Sequence, residues 1–120
     1  MLFNDRVTAQ RQELAKAALP DGTEVAFATT GSGPVLLVVP GWLTHLELGW
    51  AVPADRLFYE SLAQGRTLVR YDRPGCGLSD PYDGPRTLEL ELATIAAVVE
   101  AVGADRFDLF GFSMGAVVAA

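Results

Sequence analysis

The sequence predicts an α/β fold in which an N-terminal hairpin leads into a mostly parallel sheet flanked by helices. Three stretches carry that prediction. Val35-Leu36-Leu37-Val38-Val39 is an unbroken apolar run stopped by Pro40-Gly41, the pattern of a strand buried on both faces of a parallel sheet. From Thr87 to Val102, Leu88, Leu92, Ile95, Ala96, Val99 and Val102 recur at helical spacing. Phe107-Asp108-Leu109-Phe110 then reads as a further strand that runs into a glycine-flanked turn and another helix over 111–120. Strands alternating with helices imply crossovers between parallel neighbours.

The remaining elements follow in chain order. Leu14, Ala15, Ala17, Ala18 and Leu19 fit either a short helix face or the first arm of a hairpin. Pro20-Asp21-Gly22-Thr23 is a turn, because proline presets the first central angle and Asp and Gly accept the tight geometry after it. Val25, Phe27 and Thr29 alternate with Glu24, Ala26 and Ala28, which predicts a half-buried strand. Gly31-Ser32-Gly33-Pro34 breaks the chain; it is no phosphate cradle, since it leads into a strand rather than a helix. Residues 53–64 predict a helix with Leu57, Phe58, Leu62 and Ala63 on one face and Gly65 as its stop. Thr67-Leu68-Val69-Arg70-Tyr71 is a strand, and residues 72–81 form a loop rich in glycine and proline. Thr87 caps the long helix, Glu89 and Glu91 sit near its positive end, and Gly103 ends it.

Composition narrows the function classes. The 120 residues carry 15 acidic against 9 basic side chains, a formal net charge of −6, and half are apolar. That is globular rather than disordered composition, and a length sufficient for one core. The acidic balance argues against nucleic-acid or anionic-membrane binding by this segment. No apolar run reaches the ~18 residues of a membrane span. The start, Met1 to Arg6, lacks the basic and apolar regions of a secretory signal, so a cytoplasmic location is expected. Cys76 has no internal disulfide partner, and one His with one Cys builds no zinc site; neither metal nor cofactor is expected.

The chemistry lies in Gly111-Phe112-Ser113-Met114-Gly115, a G-x-S-x-G sequence between a strand and a helix. A serine on such a sharp turn needs glycines two positions away on either side, where side chains would collide with neighbouring backbone. The turn lifts the hydroxyl clear of the sheet and sets it near the positive end of a helix, where the Met114 amide is a candidate oxyanion donor. The plain alternative is a glycine-rich helix start capped by Ser113.

From about Asp21 onward the chain resembles the α/β-hydrolase superfamily in four pieces. These are the hairpin from Asp21-Gly22 through Gly31-Ser32-Gly33-Pro34, the strand ending Pro40-Gly41-Trp42, the loop Tyr71 to Asp80, and the nucleophile elbow. Within that superfamily, Trp42 to Glu47 and Arg73 to Asp80 resemble a bacterial subgroup whose hydrolase-like domains stand beside adenylate-cyclase or helix-turn-helix regulators. The resemblance implies that residues 21–120 are the N-terminal half of an α/β-hydrolase domain, cut after the elbow, with 1–20 an extension or first strand. It implies Ser113 as nucleophile, the backbone N–H groups of Trp42 and Met114 as oxyanion donors, and Gly111 and Gly115 as elbow glycines. It also implies a structural loop in which Asp72 bonds backbone amides. Pro40-Gly41 stands where the family usually has His-Gly. Serine at 113, rather than aspartate, points to acyl transfer to water.

The family's triad runs serine, acid, histidine along the chain. Seven residues follow Ser113, and none is Asp, Glu or His. The one histidine, His45, lies upstream as a loop hydrogen-bonder, a pocket residue or a displaced base. The reading is therefore a serine hydrolase of a small-molecule ester, amide or related acyl substrate, with acid and histidine expected beyond residue 120 and little activity in this segment alone. The alternatives are a ligand-sensing module without turnover and an inactive fragment. Trp42 and Trp50 either line an acyl pocket or pack the loop, and Cys76 reads as a small packed residue. Strand 107–110, deprived of an outer neighbour, is expected to favour self-association.

Overall fold

The computed structural model describes residues 11–41 and 43–111. Its chain order is β1 (Glu13–Ala18), β2 (Glu24–Gly31), β3 (Val35–Val39), α1 (Leu46–Ala51), α2 (Pro53–Leu62), β4 (Thr67–Tyr71), α3 (Leu88–Val102) and β5 (Phe107–Gly111).

The turn at 20–23 forms as its residues dictate. The Asp21 carboxylate accepts the Thr23 N–H at 2.9 Å, and the Leu19 N–H donates to the Thr23 carbonyl across the turn. That bond from the Thr23 amide holds the Asp21 carboxyl below the usual aspartate value. The turn pairs Ala18 with Glu24 and Glu13 with Thr29, so residues 13–18 are the first arm of a hairpin. Beyond the hairpin the sheet order is β1-β2-β4-β3-β5. β2 is antiparallel to β1 and β4, while β3 runs parallel to β4 and β5. This is the α/β architecture expected, with β5 at the sheet edge among the described residues.

Two apolar layers sandwich the sheet. On one face Val25, Phe27, Leu37, Val69 and Tyr71 pack with Val98 of α3. On the other, Leu36, Val38 and Leu68 pack with Ala63, Tyr59 and Leu62 at α2. β3 is buried on both sides, as its unbroken apolar run requires. No helix among the described residues is long and apolar enough to cross a membrane.

Four details depart from the sequence expectation. β2 is covered on both faces rather than half-buried, with Val25, Ala26, Phe27, Ala28 and Thr30 all buried. Ala26 and Ala28 are small enough for Leu46 and Leu78 to settle on them, so that side of the alternation is a second packing face. α1 was not anticipated. Leu57 and Phe58 are exposed on α2, whose inward contacts come from Tyr59 and Leu62. α3 keeps part of the expected stripe, with Ile95, Val99 and Val102 packed on the core, but Leu88 and Leu92 are exposed and Thr94 and Val98 are buried. Apolar residues nearly encircle this helix, so spacing alone does not choose the inward arc. The arc that packs inward also carries Glu91, which bonds Tyr71 and Arg73.

Leu37 lies at the centre of the sheet, 1% exposed. Leu37→Ala should destabilise the protein by about 2–5 kcal/mol through lost transfer energy and a residual cavity. Equilibrium urea unfolding checks this, and a loss below about 1 kcal/mol would contradict the packing described.

Candidate functional site

Parallel strands send their following loops out of the same sheet edge. β3 and β4 pair Val38 with Arg70, and β3 and β5 pair Val39 with Gly111. Pro40-Gly41, residues 72–80 and Gly111 therefore stand together at the carboxyl end of the sheet, where α/β sheets collect their sites. Adjacent strands lie about 4.8 Å apart, so Val39 and Gly111 are close neighbours at this edge.

Two consecutive residues at the end of β4 organise this edge. Asp72 is completely buried. One carboxylate oxygen accepts from the Thr44 hydroxyl at 2.6 Å; the other accepts the N–H groups of Leu46 at 3.1 Å and Leu78 at 2.9 Å. Gly77 approaches so closely, at φ +49°, that a Cβ there would overlap the Asp72 carboxylate and press on the Thr44 carbonyl. Ser79 donates to the Asp72 carbonyl and accepts the Ala26 N–H, and Asp80 accepts the Glu24 N–H. The loop thus completes the hydrogen bonding of β2 where β4 ends. The structural role expected of Asp72 is realised.

Arg73 points the other way. Its Nε donates to Glu91 Oε1 at 2.6 Å, Nη2 donates to the Pro40 carbonyl at 2.7 Å, and Nη1 donates to the Gly41 carbonyl. The second Glu91 oxygen accepts the Tyr71 hydroxyl at 2.6 Å. Burial, reinforced by the Glu91 charge, pushes the Tyr71 phenol well above its usual value and keeps it a donor. On the opposite sheet face, Arg70 lies 3.8 Å over the Tyr59 ring and donates to Gln12, whose amide reaches the Leu46 carbonyl. Burial lowers the Arg70 pKa from its usual value.

The sequence-derived residues fall in two groups. Gly111 ends β5 in register with Val39, at the edge just described. Trp42, Ser113, Met114 and Gly115 lie outside the described residues, as does all of the helix expected over 111–120 except Gly111, which is the last residue of β5. His45 caps α1, its Nδ1 accepting the Leu48 N–H at 3.1 Å, which is the hydrogen-bonding role among its three readings. Trp50 packs beneath Arg56, whose guanidinium sits 5.1 Å from the ring centre. Cys76 is a half-buried free thiol. The Tyr71–Glu91–Arg73 chain was not anticipated. It leaves little signal in the sequence, because Glu91 is one of three glutamates on α3.

Comparison with known proteins adds the following. The model of the alpha/beta hydrolase family matches residues 35–120. Pyrrolizixenacetamide deacetylase of Xenorhabdus hominickii is 33% identical over 99 residues, 79% of this chain and 34% of the relative. An alpha/beta hydrolase from Sphaerobacter thermophilus superposes with a TM-score of 0.68 at 36% identity, over 88% of this chain and 38% of that one. A hydrolase from Pseudomonas aeruginosa gives 0.75 at 26% identity over the same shares. The chain thus spans about a third of the curated relative's length.

Two outcomes follow from the buried groups. Asp72→Ala strands two amides and a hydroxyl and should cost about 3–5 kcal/mol. Asp72→Asn should cost less, because its oxygen still receives the amides and the Thr44 hydroxyl can turn to accept; chemical denaturation of both variants compares them. For Tyr71 the folded pKa lies above the unfolded one, so its contribution is complete below the unfolded value near 10 and is lost as pH rises beyond it. Thermal melts between about pH 9 and 11 should fall less steeply for Tyr71→Phe than for the parent.

Proposed function

Because the chain belongs to the alpha/beta hydrolase family, we propose that it carries the nucleophile and oxyanion segments of a serine hydrolase acting on an ester, amide or related acyl substrate. The observation that carries the reading is the parallel register of Val39 with Gly111. That register supports the reading because the strands leading into Pro40-Gly41 and ending at Gly111 are neighbours, as a nucleophile segment and an oxyanion segment would require. The relative named as a deacetylase lends support to an acyl substrate.

In this reading Ser113 Oγ attacks the acyl carbon while its proton passes to a general base. The carbonyl oxygen takes the negative charge and is met by the N–H groups of Trp42 and Met114; losing one such donor typically costs about 3 kcal/mol of transition-state stabilisation. The bond to the leaving group then breaks, the base returns the proton to the departing alcohol or amine, and an acyl-serine remains. Water, deprotonated by the same base, attacks it and releases the carboxylic acid and the free serine. The base and its acid are expected in residues beyond 120. His45 is a poor alternative, since its Nδ1 already accepts the Leu48 N–H.

A fluorophosphonate probe should label Ser113 in the full-length gene product and leave Ser113→Ala unlabelled. Turnover of an activated ester should fall on the order of 10⁴–10⁶-fold in that variant. Equal labelling of both proteins, located by peptide mass, would remove Ser113 from the mechanism.

A further inference from the structure

Two helices of this chain are capped by the same bond from chemically different side chains. At α3 the Thr87 hydroxyl oxygen accepts the Leu90 N–H at 3.1 Å, and at α1 His45 Nδ1 accepts the Leu48 N–H at 3.1 Å. His45 has the extended backbone of a cap residue, φ −149° and ψ 113°, and its carbonyl takes the Gly49 N–H at 2.8 Å. A hydroxyl accepts across the whole ordinary pH range. An imidazole nitrogen accepts only when it carries no proton, so this bond places the ring's one hydrogen on Nε2. When the ring takes a second proton, Nδ1–H meets the Leu48 N–H donor to donor, and a positive charge stands at the positive end of the helix.

α1 is short enough for that one bond to matter. It has six residues with Gly49 in its interior, where glycine weakens a helix that has few bonds of its own. Its first residue is fixed independently of the cap. The Leu46 N–H donates to Asp72, the Leu46 carbonyl accepts from Gln12, and the side chain packs on Ala26 and Ala28. The charged groups around the turn are Glu47 on α1 itself, Asp55, Arg56 and Glu60 on the packed α2, and Arg70 and Asp72 from β4 and the loop after it. β2 meets α1 through the uncharged Ala26 and Ala28. Carboxylates and guanidiniums ordinarily keep their charge between pH 5 and 8, so the imidazole is the member of this set that changes there.

We propose that His45 is a pH-sensitive latch on α1: the neutral ring closes the first turn, and protonation releases residues 47–51 while Leu46 stays docked. The latch is complete above the range in which histidine titrates and is lost as pH falls through it. Aspartate or asparagine caps a helix at least as well without changing charge in that range, so the choice of histidine is what makes α1 conditional. The Leu46 end of α1 is bonded to Asp72 at the carboxyl edge of the sheet, so the released segment borders the candidate site. The latch stands whether or not Ser113 is a nucleophile.

Hydrogen-exchange NMR of the full-length protein at about pH 8 and about pH 5, corrected for intrinsic exchange rates, tests it. Protection of the Leu48 and Gly49 amides should fall roughly 3–30-fold at the lower pH, the range of a lost cap. The amides of Leu46 and Leu78, held by Asp72, and of Leu90, held by Thr87, should keep theirs. His45→Asn should show no such fall, and His45→Ala should be poorly protected at Leu48 at both values. Nitrogen NMR of the parent's imidazole at the higher pH should find Nε2 protonated and Nδ1 bare. Flat protection of Leu48 in the parent, an equal fall in His45→Asn, or a proton on Nδ1 overturns the latch. A fall shared by Leu46 and Leu90 is general acid loosening and overturns it as well. Should either variant fail to fold, the parent's pH series and tautomer decide the matter without it.

Discussion

Consecutive side chains at a strand end point to opposite faces of the sheet, and here those two side chains are Asp72 and Arg73. The carboxylate goes to one side and collects Thr44, Leu46 and Leu78. The guanidinium goes to the other and collects Pro40, Gly41 and Glu91. The loop after β3 is therefore pinned at 40–41 from one face and at 44 and 46 from the other.

The energetics make that arrangement hard to change piecemeal. A fully buried carboxylate is costly to desolvate, and only a complete set of donors offsets it. Asp72 has three donors from two loops, so the penalty binds the loops to the strand end: move either one and a buried charge loses a partner. Gly77 belongs to the same constraint, because only a residue without a Cβ lets the 72–79 loop close over the carboxylate. The net stabilisation from such a cluster is modest. What it contributes is a single allowed geometry for irregular backbone that hydrophobic packing alone would leave loosely defined.

This division also explains what was legible in the residues. The strands were readable because burial on a sheet leaves a local mark, as in Val35 to Val39, and the turn at Pro20 to Thr23 because its geometry is encoded within four residues. The Gly111 and Pro40-Gly41 positions were readable from motif and order. α1 was not: six residues that include Gly49 give no usable period, and the helix depends on a His45 cap and on Leu46 packed over Ala26 and Ala28. Nor was the face of α3, where Leu88, Leu92 and Ala96 satisfy the same spacing as the residues actually packed inward. The Arg73–Glu91 pair spans 18 residues of sequence and a change of element. No local pattern announces a contact that exists only once α3 lies across the sheet.

The arc that α3 packs inward carries a polar contact as well as apolar ones. Were apolar burial alone in control, the helix would turn Leu88 and Leu92 inward, since each offers more transfer free energy than Thr94. Instead those leucines are 56% and 51% exposed, and Thr94 is buried with its hydroxyl bonded to the Leu90 carbonyl one turn back. The inward arc is the one that carries Glu91 to Arg73 and Tyr71. Leaving a buried arginine without its carboxylate would cost more than two partly exposed leucines forgo, because the guanidinium's other bonds do not neutralise its charge. The same glutamate thus ties α3 to the guanidinium whose other nitrogens meet the Pro40 and Gly41 carbonyls.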